Sequence, residues 1–259
     1  MDLIVLVAIS LIIGFLAAIS GIGGGALLTP ALILSGVDAR IAVGASLGGV
    51  ALTSLVSSLE YLRQRFADIK LAAILLIASL PGAFIGVQLA YVLPVLMLEK
   101  ALGVFLMVLA MILFFHPNPL KLKLPFCMEC CVLARNGKEF KYEAPLALLI
   151  PLGFVAGMAS GLFGIGGGVL IVPAMLIGGI PAHVAIATSC IMVNLNADFS
   201  LLAHYLAGGL SLDYLLFAGP GLAIGAFIGA KFAERIDAKW IRIVLAMVLL
   251  LMAIVLLLR

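Results

Sequence analysis

Three groups of residues in this 259-residue chain have types and spacings that can carry chemistry. The first is Gly21-Ile22-Gly23-Gly24-Gly25, which recurs 143 positions later as Gly164-Ile165-Gly166-Gly167-Gly168. Four glycines in five residues break a helix rather than extend it. A helix that restarts near Gly24 or Gly167 presents unpaired N–H groups and the positive end of its dipole. That is anion-binding chemistry, and glycine lets an anion's oxygens approach the backbone closely. Gly23, Gly24, Gly25, Gly166, Gly167 and Gly168 are therefore the leading candidates for a substrate site. The competing reading is close helix packing by small residues.

The second group lies on two otherwise apolar segments. One holds Thr188, Ser189, Asn194, Asn196, Asp198, Ser200 and His204, and the other holds Ser46, Thr53, Ser54, Ser57 and Ser58. Ser46, Thr53, Ser189, Asn194 and Asn196 are the side-chain candidates around the anion, with interhelical hydrogen bonding as their structural alternative. Asn196 and Thr53 occupy equivalent repeat positions, which favours that pair. Asn194 and Asn196 are two apart and face different sides of an ideal helix. Asp198 and His204 are ionisable groups in an apolar segment and stand as coupling candidates. They are six residues apart and do not stack on one helix face.

The third group is Cys127-Met128-Glu129-Cys130-Cys131 in a polar segment. Cys-x-x-Cys in a reducing compartment points to metal or redox chemistry rather than a structural disulfide. Zinc takes four ligands, and His116 is the nearest fourth beside three thiols. Lys121, Lys123, Arg135 and Lys138 nearby are expected to lower the thiol pKa values. An incidental loop is the plain alternative, and Cys190 reads as an inert packing residue.

The elements that must position these groups follow from composition. The chain is 65% hydrophobic and 10% charged, with mean hydropathy +1.35. No soluble core absorbs that much apolar surface at this length, so the fold class is an all-α polytopic membrane protein. No nucleic-acid-binding patch is present, and Met1-Asp2 before the first apolar run argues against a cleaved signal peptide. Apolar runs of helical length lie at roughly 3–20, 25–37, 41–59, 70–93 and 95–115, and again at about 145–162, 168–180, 182–206, 211–230 and 239–258. Residues 1–115 and 145–259 thus form two membrane repeats, joined by a polar loop at 116–144. Over residues 14–32, nine of nineteen positions are identical at the 143-residue offset, among them Gly14 with Gly157, Leu27 with Leu170 and Pro30 with Pro173. The first two runs of each half are short for a full crossing. They form either two tilted spans or, in the expected fold class, a short hairpin around the glycine turn. Irregular backbone at that depth needs protein or a water-filled cavity around it.

Five segments per half, an odd number, invert the second repeat relative to the first. Arg63, Arg65, Lys70, Lys121, Lys123, Arg135, Lys138, Lys141, Lys231, Arg235, Lys239 and Arg242 then share one side, against Arg40, Lys100 and Arg259 on the other. Counting each glycine hairpin as one crossing reduces this twelve-to-three split to nine against six. The positive-inside rule favours the inverted arrangement, with both termini outside and the cysteine loop cytoplasmic.

Two halves that each open with a glycine turn closed by a proline, followed by Ala-x-x-x-Ser, resemble the sulfite exporter TauE/SafE family of bacterial permeases. The motifs are Ser20-Gly-Ile-Gly-Gly-Gly with Pro30, Ser160-Gly-Leu-Phe-Gly-Ile-Gly-Gly-Gly with Pro173, and Ala185-Ile-Ala-Thr-Ser189. The first half reads Val43-Gly44-Ala45-Ser46, without the threonine, so unequal contributions from the halves are expected. The resemblance implies a secondary transporter of sulfite or organosulfonates in a bacterial inner membrane, not an enzyme. With the inverted repeats, the expected mechanism is alternating access around a central site. The rival readings are a membrane thiol oxidoreductase or redox- or metal-sensing protein using Cys127, Cys130 and Cys131, and an anion channel. No cofactor or metal is expected. The expected partners are the small sulfur anion and the bilayer, with a homodimer left open and nucleic acid not among them.

Overall fold

The computed structural model describes residues 3–115, 126–135, 137–207, 212–233 and 238–258. His116, Lys121, Lys123 and Arg235 lie outside them. Among the described residues, five helices precede a two-stranded sheet and five follow it. The first set is α1 (Leu3–Ser20), α2 (Gly25–Leu34), α3 (Ala39–Gln64), α4 (Ile69–Val92) and α5 (Val95–Phe115). After β1 (Cys127–Leu133) and β2 (Glu139–Pro145) come α6 (Leu146–Phe163), α7 (Gly168–Ile177), α8 (Ala182–Leu206), α9 (Leu212–Phe232) and α10 (Ala238–Leu258). Among the described residues, α3, α4, α5, α6 and α8 are long and apolar enough to cross a membrane.

The helix pairing maps onto itself when the two halves are exchanged. α4 packs on α6 as α9 packs on α1, α3 packs on α9 as α8 packs on α4, and α3–α8 and α5–α10 pair with each other. Glycine makes the tightest of these seams. A Cβ added at Gly157 or Gly161 of α6 would fall on the carbonyls of Ser79 and Ala83 of α4. Gly82 and Gly86 of α4 lie equally close to the carbonyls of Phe154 and Met158. On the other seam Gly14 meets Leu222, and Gly225 and Gly229 meet Leu11 and Phe15, each contact the repeat counterpart of one on the first. Small residues let membrane helices approach to backbone distance, where packing rather than the hydrophobic effect holds them.

Of the five candidate spans, the two most polar are the most buried. For α3 and α8, 72% and 67% of the best apolar window is inside the molecule, against 33% for α5. Apolar side chains such as Ile77, Phe84, Val104 and Met111 face outward, as lipid-facing surface requires.

Residues 127–145 correct the all-α expectation. β1 and β2 are antiparallel with Cys130 opposite Tyr142 and Cys131 opposite Lys141. Met128, Cys130, Val132, Phe140, Tyr142 and Ala144 turn inward while the alternate residues up to Glu143 are exposed. Period-two alternation on both sides of Asn136-Gly137 is a hairpin signature, overshadowed in sequence by the apolar runs around it. The hairpin caps the end of the bundle where α3 ends and α4 begins. Arg135 N–H donates to Gln64 O at 3.0 Å, and Tyr142 Oη donates to Asp68 Oδ2 at 2.7 Å. Asp68 in turn caps α4 through Leu71 N–H at 3.0 Å, and its own N–H reaches Thr188 Oγ1 at 3.0 Å.

Candidate functional site

The two glycine turns share one backbone conformation. Gly24 has φ 87° and ψ −16°, and Gly167 has φ 86° and ψ −18°. This left-handed geometry is open to glycine at little cost and disfavoured for other residues. It starts the ten-residue α2 or α7, after Gly21 (φ 71°) and Gly164 (φ 73°) have ended α1 and α6. In each short helix the first bonds are already made, Leu27 and Leu28 N–H to Gly24 O and Leu170 and Ile171 N–H to Gly167 O. The amides of Gly25, Ala26, Gly168 and Val169 lie ahead of these and have no carbonyl one turn back in their own helix.

The turns pack on each other. A Cβ added at Gly25 would collide with the carbonyl of Gly164, and one at Gly168 with that of Gly21. Each turn is also tied to the long polar helix of the other repeat. Ser46 Oγ of α3 donates to Gly164 O at 3.0 Å, and Ser189 Oγ of α8 donates to Gly21 O at 3.0 Å. These are the same bond in the two repeats, and both serines are fully buried. Asn196 spans three elements, with Nδ2 donating to Gly166 O at 3.4 Å and Oδ1 accepting from Ser79 Oγ at 3.1 Å. Its counterpart Thr53 bonds within its own helix, to Gly49 O at 2.7 Å. Asn194 Nδ2 donates across to Ala51 O at 3.0 Å, joining α8 to α3. Ser46, Thr53, Ser189, Asn194, Asn196 and all six candidate glycines are buried, and Ser46, Ser189 and Asn196 bond the turns themselves.

Asp198 and His204 are not brought together. Asp198 is exposed, whereas His204 is fully buried between α6 and α4. His204 Nε2 lies 2.8 Å from Gly161 O and Nδ1 3.2 Å from Tyr91 Oη. A carbonyl only accepts, so Nε2 carries the hydrogen and Nδ1 accepts from the tyrosine. Tyr61, the counterpart of His204, donates to Ala18 O at 3.0 Å, and Ala18 is the counterpart of Gly161. Sequence reading missed both tyrosines, although Tyr61 lies on the same i, i+4, i+8 face (Thr53-Ser57-Tyr61) that carries the candidate His204 in the other repeat (Asn196-Ser200-His204).

The hairpin thiols behave differently from the expectation. Burial pushes the Cys130 thiol up to about 11, with the neighbouring Asp68 carboxylate adding to it. Cys131 Sγ donates to Glu139 Oε1 at 3.2 Å, and that bond raises its pKa as well. Lys70 pulls the Cys130 thiol down and Lys141 the Cys131 thiol, but burial at the first and the Glu139 bond at the second outweigh them. Cys127 and Cys130 point to opposite faces of β1, and three residues of strand separate their Cα atoms by about 10 Å, beyond disulfide reach. Among the described residues no three His, Cys, Asp or Glu side chains are grouped to hold a metal ion.

Residues 6–256 match the family model described as Sulfite exporter TauE/SafE. A probable membrane transporter protein of Bacillus subtilis, YunE, is 30% identical over 97% of this chain and 96% of its own length. One from Methanocaldococcus jannaschii is 27% identical over 94% of this chain and 91% of its own. Sulfite exporter TauE/SafE family protein 5 of Arabidopsis thaliana is 42% identical over 41% of this chain and 24% of its own. No solved structure matches. With helices fit to span a bilayer, a motif-bearing centre repeated in both halves and a family match across nearly its whole length, the chain belongs to the sulfite exporter TauE/SafE family and is a multi-pass membrane transporter.

Proposed function

We propose that the protein moves small sulfur-containing anions, sulfite or organosulfonates, across a bacterial inner membrane by alternating access between two inverted repeats. Both termini lie outside in this reading, and the cysteine hairpin is cytoplasmic, as the distribution of lysine and arginine suggests. One observation carries the substrate class. Two short helices begin at glycine turns of the same conformation packed against each other, which brings the N-terminal ends of both helices together. The candidate side chains around them are Ser46, Thr53, Ser189, Asn194 and Asn196, all uncharged. An oxyanion suits such a site because backbone donors and dipole ends replace its water without a buried counter-charge. His204, buried and hydrogen-bonded through both ring nitrogens, is the better-placed coupling candidate, and Asp198 the more solvated or lipid-facing one.

The test is a thermal-shift screen of the purified protein against sulfite, thiosulfate, sulfoacetate and taurine. Stabilisation of several degrees by at least one sulfur oxyanion at millimolar concentration is expected, because a ligand held by the folded state alone raises its stability by mass action. No shift with any of the four removes the sulfur-anion reading.

A further inference from the structure

The centre between the glycine turns is filled by one pair of side chains. Val50 of α3 and Val193 of α8 are repeat counterparts, and both are wholly buried. The place a Cβ would take at Gly23 lies 2.8 Å from Val193 Cγ1 and 3.0 Å from Val50 Cγ1. At Gly166 the corresponding distances are 2.5 Å from Val50 Cγ1 and 2.9 Å from Val193 Cγ1. Each isopropyl group therefore touches both turns. The second methyls reach the helix starts, with Val50 Cγ2 2.7 Å from the Cβ position of Gly25 and Val193 Cγ2 2.9 Å from that of Gly168. The adjoining residues are pinned by the Asn194 bond to Ala51.

We propose that Val50 and Val193 form the hydrophobic closure of the transport path and set the size of anion it admits. The proposal rests on the transport path running between the glycine turns, but not on sulfur as the substrate. Three physical points carry it. The valines cover the side-chain faces of both turns, at Gly23 and Gly25 and at Gly166 and Gly168. A hydrated anion does not cross a contact of two isopropyl groups, which excludes water as hydrophobic constrictions in channels do. Valine in a helix keeps one strongly preferred rotamer, so the closure does not open by side-chain rotation. It opens when α3 and α8 shift against the turns, which ties opening to the motion of whole helices in both halves. Hydrophobic packing alone would explain burial, yet it does not require counterpart residues to meet on both turns at once.

The experiment measures passive chloride efflux from proteoliposomes containing the parent, Val50→Ser/Val193→Ser, Val50→Thr/Val193→Thr, and Val87→Ser as a control. Val87 is an equally buried valine on α4. The serine pair both shrinks and wets the closure, while the threonine pair keeps its shape and adds only polarity. Efflux is expected to rise at least tenfold in the serine pair and severalfold in the threonine pair, with the Val87→Ser protein at the parental rate. Should the serine pair fail to fold, the near-isosteric threonine pair carries the test. Parental efflux in a folded pair variant, or an equal rise in the Val87→Ser protein, overturns the proposal. A parent that binds no sulfur anion while the pair variants leak chloride removes the substrate reading and leaves the closure standing.

Discussion

The glycine-turn centre and the cysteine hairpin are built on opposite principles. At the centre the main contacts come in counterpart pairs: Ser46 with Gly164 answers Ser189 with Gly21, and Val50 answers Val193; the bonds of Asn196 and Asn194 are the unmatched ones. Nothing there carries charge, and backbone lies against backbone. The hairpin belongs to one end of the molecule and has no counterpart among the described residues. It is held by side-chain bonds to a carboxylate, Asp68. The difference shows where this chain places duplicated geometry and where it places individual chemistry. A centre made of counterpart elements can be rebuilt on the opposite face by exchanging the two halves, which alternating access requires. A one-sided cap can only distinguish one face from the other.

The largest effect that would break this comparison is expected at the turns. Gly25→Ala and Gly168→Ala each set a Cβ against a carbonyl of the opposite turn, and each should lower stability by about 3 kcal/mol or more, or prevent folding. Melting temperature in detergent reads it. If one variant is tolerated and its mirror is not, the two turns are not equivalent. Next comes Asn196→Ala, which removes bonds to Gly166 and Ser79. Its loss of sulfite affinity should be roughly tenfold to a hundredfold, about 1–3 kcal/mol, measured by titration on the folded variant. Unchanged affinity would place Asn196 outside the anion's contacts.

Ser46→Ala and Ser189→Ala should each cost about 1 kcal/mol and match one another. A large inequality in their melting temperatures would show that the halves share the load unevenly.

At the hairpin the effects shrink. Burial pushes the Asp68 carboxyl up, but bonds from Leu71, Tyr142, Cys130 and Lys70 outweigh it and hold the group below its usual range. A lowered folded-state pKa adds stability above the unfolded value, lost as pH falls through the folded one. Tyr142→Phe should therefore lower the melting temperature by a few degrees at pH 7, and the gap from the parent should close below about pH 3.8, the ordinary value for aspartate. A gap that persists at low pH would mean that packing, not the carboxylate, supports the hairpin.

The smallest effect is expected from Cys127→Ser/Cys130→Ser/Cys131→Ser, within about 0.5 kcal/mol of the parent. Membrane-impermeant maleimide should label the exposed Cys131 only after lysis, and faster as pH rises because Glu139 holds the thiol protonated. Labelling in intact cells would reverse the orientation proposed for the hairpin.

The sequence by itself determined a membrane protein, ten helical segments, the 143-residue repeat and the glycine turns as its centre. These follow from local properties: apolar runs of helical length, and glycine clusters that end helices wherever they occur. The Asn136-Gly137 hairpin was equally local but was masked by the weight of apolar sequence around it. Tertiary structure alone decided which side chains met. No spacing rule says that Ser46 would bond the turn 118 residues away, that His204 would meet Tyr91 rather than Asp198, or that Asp68 would raise the pKa of a thiol 62 residues on. Nor does one single out Val50 and Val193 among so many valines. The physical reason is that periodicity places a residue on a face, while the partner on that face comes from how helices distant in sequence pack.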